Sequence, residues 1–328
     1  AERAARTVAA INLDMVGEDQ AQCGSTMLLE HPPCFSASFA ETLLQIVRER
    51  CSDWVTSFSG PGHVTVTRMA EIPYSGGSDH TVLIDPAIGV PCPMLVQWPD
   101  RFYHSSLDTP DRCDPRSLAL AARRAAVYAG FLARAGLPEC EWLAGQIARR
   151  ARLRMLATLE SAAAPRQVSA ERLRAGRALD SLRRLAAGSA LESRLDREQV
   201  AVEAFIASEV TPHLPKDAID AGEVVVESAH IPVRRVGAPL HYQRWLLPGW
   251  DALPAAERER WREDEAGAGQ LAPVFALAWS ACDGIRSVSG IAELVWLETG
   301  RRAADDIGRF FSWTRALGLS EWRAGGSE

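Results

Sequence analysis

Runs of apolar residues alternate with polar turns over the first third of the chain, and their lengths predict short strands and medium helices. Thr7 to Leu13 reads as a strand that closes on Asp14, and Ser25 to Glu30 as a second short strand. Ser38 to Arg50 places Phe39, Leu43, Ile46 and Val47 on one side of a helix. His63 to Arg68 alternates as a half-buried strand does. The run Met94 to Trp98 reads as a buried strand, introduced by Gly89-Val90-Pro91. Asp114-Pro115 is a helix cap followed by proline at the first helical position. That helix is expected to reach about Ala135 and stop at Gly136. Strands alternating with helices predict an α/β layer over residues 1–136.

From Glu141 to about Val210 the pattern changes to Ala, Arg, Leu and Glu without strand signals. Leucines at 153, 156 and 159, then at 173, 179, 182 and 185, predict two amphipathic helices separated by Ala163-Ala164-Pro165, a helical hairpin within residues 137–214. The arginines at 149–154 are interspersed with acidic neighbours, which favours a solvated helix face. A third region, 215–328, opens with a strand at Glu223–Val226. Trp245, Trp250 and Trp261 follow and are expected in a core. Near the end, Ser287 caps a helix from Val288 to Thr299 closed by Gly300, and a second helix runs from Ala304 to Leu317 before Gly318. Two short helices joined in this way predict a winged-helix-like unit.

Composition adds few constraints. The 328 residues carry a net charge of −6, and Lys216 is the only lysine. The arginines at 301, 302, 309 and 315 face Glu293, Glu298, Asp305 and Asp306, so the C-terminal helices lack the basic surplus a phosphate backbone requires. No nucleic acid partner is expected. No apolar run reaches the length of a membrane span, so no membrane partner is expected either. Seven cysteines with no C-x-x-C pair favour free thiols and a reducing, cytoplasmic compartment. Cys92 and Cys113 are expected to pack as small apolar groups. His31, His63, His213, His230 and His241 show no partner spacing.

Two stretches place metal-binding residue types at strand ends. Asp14 closes the first strand, in Asn12-Leu13-Asp14-Met15-Val16-Gly17. His104 follows the Met94–Trp98 strand, in Tyr103-His104-Ser105-Ser106-Leu107-Asp108-Thr109. Ligands of open α/β sheets gather at the carboxyl ends of strands, and aspartate and histidine both suit zinc. Between them Gly76-Gly77-Ser78-Asp79-His80 forms a turn, in which Ser78 or Asp79 also suits a helix N-cap.

These three motifs, in this order and at this wide spacing, resemble the zinc-dependent exopeptidases related to bacterial leucyl aminopeptidase, aminopeptidase Y and glutamate carboxypeptidase. The resemblance covers about residues 1–136. It implies a metallopeptidase with two zinc ions, a peptide substrate, Asp14 on one ion and His104 on the other. Ser78, Asp79, His80 and Tyr103 would line the site, and Asp108 and Thr109 would brace the loop carrying His104. The family also uses an earlier His-x-Asp pair and a Glu-Glu pair that holds the general base. Neither pair occurs here. The expectation is the C-terminal part of a catalytic domain with its base upstream of Ala1, inactive as this chain alone. A non-catalytic binding or assembly module derived from that fold is the alternative. Self-association through the helical or winged-helix-like regions remains open under either reading.

Overall fold

The computed structural model describes residue 4 and residues 6–58, 60–215, 230–240, 250–266 and 271–323. The chain divides into two compact units, one of residues 1–84, 90–152 and 174–204, the other of residues 85–89, 153–173 and 205–328.

The first unit is built on a four-stranded mixed sheet. Its strands are β1 (Asn12–Asp14), β2 (Thr26–Glu30), β5 (Met69–Ile72) and β6 (Met94–Trp98), in the order β1-β6-β2-β5. β1 runs parallel to β6, β6 antiparallel to β2, and β2 parallel to β5. A separate hairpin joins β3 (Trp54–Thr56) to β4 (His63–Thr65). Its helices are α1 (Gln20–Cys23), α2 (Phe39–Arg50), α3 (His80–Ile84) and α4 (Pro115–Leu132), and it shares α5 (Leu137–Thr158), α6 (Ala164–Ser181) and α7 (Ser189–Phe205) with the second unit, to which residues 153–173 and 205 belong.

Side chains of a strand alternate between sheet faces, and β2 shows this directly. Met27 and Leu29 join the main core with Phe39, Leu43, Leu44 and Val47 of α2, whereas Leu28 packs with Met94 and Val96 on the other face. Leu143, Ile147, Leu179, Leu191 and Leu195 complete the main core. Burying a side chain of this size contributes roughly 1.5–3 kcal/mol. Asp114 caps α4 as expected, accepting from Arg116 N, and Ser38 caps α2, accepting from Ala40 N.

Several expectations are corrected. β1 is shorter than the run from Thr7, although Ala10 N and Asn12 N still donate to Pro91 O and Pro93 O beside it. The strand expected over 63–68 ends at Thr65, and β5 forms from Met69. α4 ends at Leu132, short of Gly136. The Gly136 N–H instead donates to the Glu139 carboxylate at 2.9 Å, a contact that starts α5. Where two helices were expected, α5, α6 and α7 give three, because Gly188 at φ 123° separates the last two.

An ionic network ties β2, β5 and α2 together. His31 Nε2 lies 2.8 Å from Glu71, which also accepts from Gln45 at 2.7 Å and pairs with Arg48. Burial alone would raise the Glu71 pKa. His31 and Arg48 outweigh it and hold the group down at about 2, below its ordinary 4.5. A depressed carboxylate contributes stability that is fully present above its unfolded value and lost as pH falls through the folded one. Glu71→Gln is therefore expected to cost about 1–2 kcal/mol at neutral pH, after allowance for solvent screening of this partly exposed group. The difference should close between about pH 4.5 and about pH 2. Urea unfolding of both proteins across that window checks this, and a constant difference would contradict it.

The second unit contains β7 (Pro232–Arg234), α8 (Ala255–Ala266), α9 (Leu271–Ala281), α10 (Val288–Thr299), α11 (Ala304–Ala316) and β8 (Ser320–Trp322), with β7 antiparallel to β8. Phe275 stacks on Phe310 at 4.9 Å, and Trp279, Phe311, Ile291 and Val295 are buried. Ser287 and Gly300 cap α10 as expected, with Gly300 at φ 74°. α8 and α9 were not foreseen. The strand expected at 223–226, Trp245 and His241 lie outside the described residues, as does the side chain of Trp261, and Trp250 is half-buried. Among the described residues no helix is long and apolar enough to cross a membrane. All seven cysteines are free thiols.

Candidate metal centre

β1 and β6 are parallel neighbours, with Asn12 opposite Met94 and Asp14 opposite Val96. Their carboxyl ends therefore lie at one edge of the sheet, where Asp14 ends β1 and Trp98 ends β6, six residues before His104. The backbone carries a second mark of the same pairing. Among the described residues, the non-glycine residues with positive φ are Met15, at 51°, and His104, at 54°. Such conformations cost of order 1–3 kcal/mol and concentrate at functional sites.

His104 sits in a loop of tight turns. Phe102 N donates to Asp100 Oδ1 at 2.9 Å, the Ser105 hydroxyl to Phe102 O at 2.6 Å, and Asp108 N to Ser105 O at 3.3 Å. The imidazole is exposed and stacks on Tyr103 at 3.7 Å, and Tyr103 meets Trp98 of β6 edge-on at 5.1 Å. Neither His104 ring nitrogen takes a hydrogen bond among the described residues, so both are open to a ligand. Thr109 braces the loop by donating to Leu107 O at 3.4 Å, whereas Asp108 is exposed and enters through its backbone.

The third motif reaches the first. Gly76 and Gly77, at φ 74° and 88°, make a turn that side chains would strain. Asn12 Nδ2 then donates to Ser78 Oγ at 2.7 Å. Asp79 is exposed. His80 is buried, with Nε2 2.9 Å from Glu30. Glu30 also accepts from Ser75 N and Gly76 N, both at 3.0 Å. His80 thus anchors the motif turn to β2.

Three further residues on these loops escaped the reading of the sequence. Glu18, Cys23 and Asp100 bring their ligand atoms within 4.8 Å of one another. Burial raises the Glu18 pKa from 4.5 to about 7, against the Ser25 hydroxyl and with the added charge of Asp100, Asp108 and Asp14. Burial, Glu18 and Asp100 push the Cys23 thiol up to about 12. Glu18 precedes α1, Cys23 ends it, and Asp100 follows β6. The available signal was their position just past the two motif strands. A cavity of about 600 Å³ lined by Asp19, Trp54, Arg68, Asp114 and Arg123 contains none of the motif residues.

The family model of peptidase family M28 matches residues 1–129. The sheet edge thus lies in a region similar to metallopeptidases of that family. No curated protein and no solved structure matches the chain.

Proposed function

We propose that residues 1–129 belong to a zinc-dependent exopeptidase, an aminopeptidase that hydrolyses the N-terminal bond of a peptide. Asp14 and His104 each hold one of two zinc ions in this reading. The observation that carries it is the shared edge of β1 and β6, where both non-glycine residues of positive φ flank or form the proposed ligands.

The donor chemistry fits in part. Asp14 is an acceptor-only carboxylate and His104 offers an unpaired imidazole nitrogen, both suitable for zinc. Among the described residues neither belongs to a group of three or more His, Cys, Asp or Glu with ligand atoms in mutual reach. They are assigned as part of a donor set, and no general base is assigned. Zinc, when bound, supplies an activated water and polarises the scissile carbonyl. Tyr103 sets the plane of the His104 ring by stacking. Asn12 holds Ser78 beside β1, where the Gly76-Gly77 turn lets a peptide backbone approach.

The protein produced from its complete coding sequence is expected to cleave aminoacyl-nitroanilides, to lose activity on chelation and to regain it with zinc. Residues 1–328 alone are expected to cleave none. Chelator-resistant hydrolysis, or a zinc-loaded complete protein inert toward every peptide substrate, would contradict the assignment. The partial donor set favours a second reading, a non-catalytic binding module of the same fold. A complete coding sequence without His-x-Asp and Glu-Glu pairs upstream of Ala1 would support that module.

The C-terminal helices are read as a winged-helix-like packing unit. Arg302 pairs with Glu293 at 3.3 Å and lies 3.8 Å above the Trp296 ring, and Arg309 pairs with Asp306. With these charges internally matched, residues 215–328 are expected to show no sequence preference for duplex DNA in a mobility-shift titration. Salt-sensitive, sequence-selective binding would refute this.

A further inference from the structure

The cluster of Glu18, Cys23 and Asp100 shares no residue with the ligands assigned above. The Glu18 backbone is clamped, its N–H donating to Gln97 Oε1 and its carbonyl accepting from Gln97 Nε2, both at 3.0 Å, with a bridge to Cys113 on the other side. These contacts turn its side chain inward, and the residue is 9% exposed. Both carboxylate oxygens are shielded from solvent and lack a close hydrogen bond, with the Ser25 hydroxyl the polar neighbour that lowers the Glu18 pKa. Buried carboxylates are normally paired or hold a metal. Cys23, 2% exposed, ends α1, and its thiol lies 3.7 Å from Arg112 O and interacts with the Asp100 carboxylate. Asp100 is half-buried and fixed by the Phe102 N–H at 2.9 Å. Among the described residues no ion pair reaches Glu18 or Asp100.

Three acidic groups converging without a cation require either protons or a metal. Tetrahedral zinc bonds of about 2.0–2.3 Å place donor atoms roughly 3.3–3.8 Å apart, so the group, whose ligand atoms lie within 4.8 Å of one another, closes by up to about 1 Å on binding. A thiolate beside two carboxylates excludes a magnesium or calcium preference and favours zinc.

We propose that Glu18, Cys23 and Asp100 form a metal site for a thiophilic divalent cation, zinc by preference, separate from Asp14 and His104. Binding displaces the Cys23 proton to solvent as the sulfur–metal bond forms. The fourth position is left to water, as in sites with three protein donors.

Cobalt(II), a spectroscopic substitute for zinc, tests this when titrated into the metal-free 328-residue chain. A thiolate-to-cobalt charge-transfer band should appear and be displaced by zinc. It should vanish in Cys23→Ser and persist in Cys113→Ser, Asp14→Ala and His104→Ala. Glu18→Gln should weaken zinc binding by more than about a hundredfold, beyond the loss from an outer partner. Metal-free Glu18→Gln should be at least as stable as the parent, because an unpaired buried charge is removed, and its thermal unfolding verifies that it folds. Asp100→Asn, more exposed, provides a second variant with the same expected loss. An absent band, or a band that survives Cys23→Ser, overturns the proposal and leaves a proton-neutralised cluster. The Asp14 and His104 variants keep that result separate from the fate of the peptidase reading.

Discussion

Glu30→Ala is expected to cost about 3–5 kcal/mol, the range for breaking a buried ion pair by removing one partner. Glu30 closes β2 and is 1% exposed. Burial alone would raise its pKa, but hydrogen bonds from His80 and Ser75 overcome burial and hold it below the ordinary carboxylate range. Its carboxylate receives Ser75 N, Gly76 N, the Ser75 hydroxyl and His80 Nε2. Truncation strands all four donors in a closed space, each at about 1–3 kcal/mol if left unpaired, with partial relief from relaxation. His80→Ala should cost less, because Glu30 keeps its backbone donors. The functional consequence lies in the turn, since Ser78 meets Asn12 only while residues 75–80 are held to β2. Urea unfolding of the two variants gives the comparison. A Glu30→Ala loss below about 1 kcal/mol, or a larger loss for His80→Ala, would show that Glu30 does not anchor this turn.

In the complete protein, Asp14→Ala and His104→Ala are each expected to lower aminoacyl hydrolysis by orders of magnitude with little change in stability. The His104 ring is exposed and the residue lies in a loop, so its removal opens no cavity. His104→Gly separates function from folding more sharply. At φ 54° a side chain is strained and glycine is not. The glycine variant should match the alanine variant in lost activity while exceeding it in stability by about 1 kcal/mol. Activity retained by the glycine variant would mean that the histidine holds nothing the reaction needs.

The parts of the fold that the sequence made legible are those in which hydrophobic burial or a cap acts alone. β6 shows in the apolar run Met94-Leu95-Val96 because these residues are buried on both sheet faces. Ser38, Asp114 and Ser287 mark helix starts because each accepts a backbone N–H from the first turn. β5 was missed because Glu71 interrupts it, and the network that makes a glutamate tolerable there comes from His31, Arg48 and Gln45 far along the chain. Gly136 misled for a related reason, serving the helix that follows it through Glu139. The strand-end aspartate and histidine were visible as motifs, but their shared edge depends on β1 lying beside β6, a pairing no local pattern encodes. Glu18, Cys23 and Asp100 stayed hidden because Asp100 comes from the end of β6, far along the chain from the two residues at α1.

Zinc counted by atomic emission in the complete protein tests the central claim most directly. The measurement belongs in a Cys23→Ser background, so that an ion held by thiolate is not included. About two zinc ions are expected per chain, as in two-metal hydrolytic sites, falling toward one when His104→Ala is added. Full zinc content and full activity in that variant would contradict the assignment of His104 and, with it, the reading of the β1–β6 edge as a metallopeptidase centre.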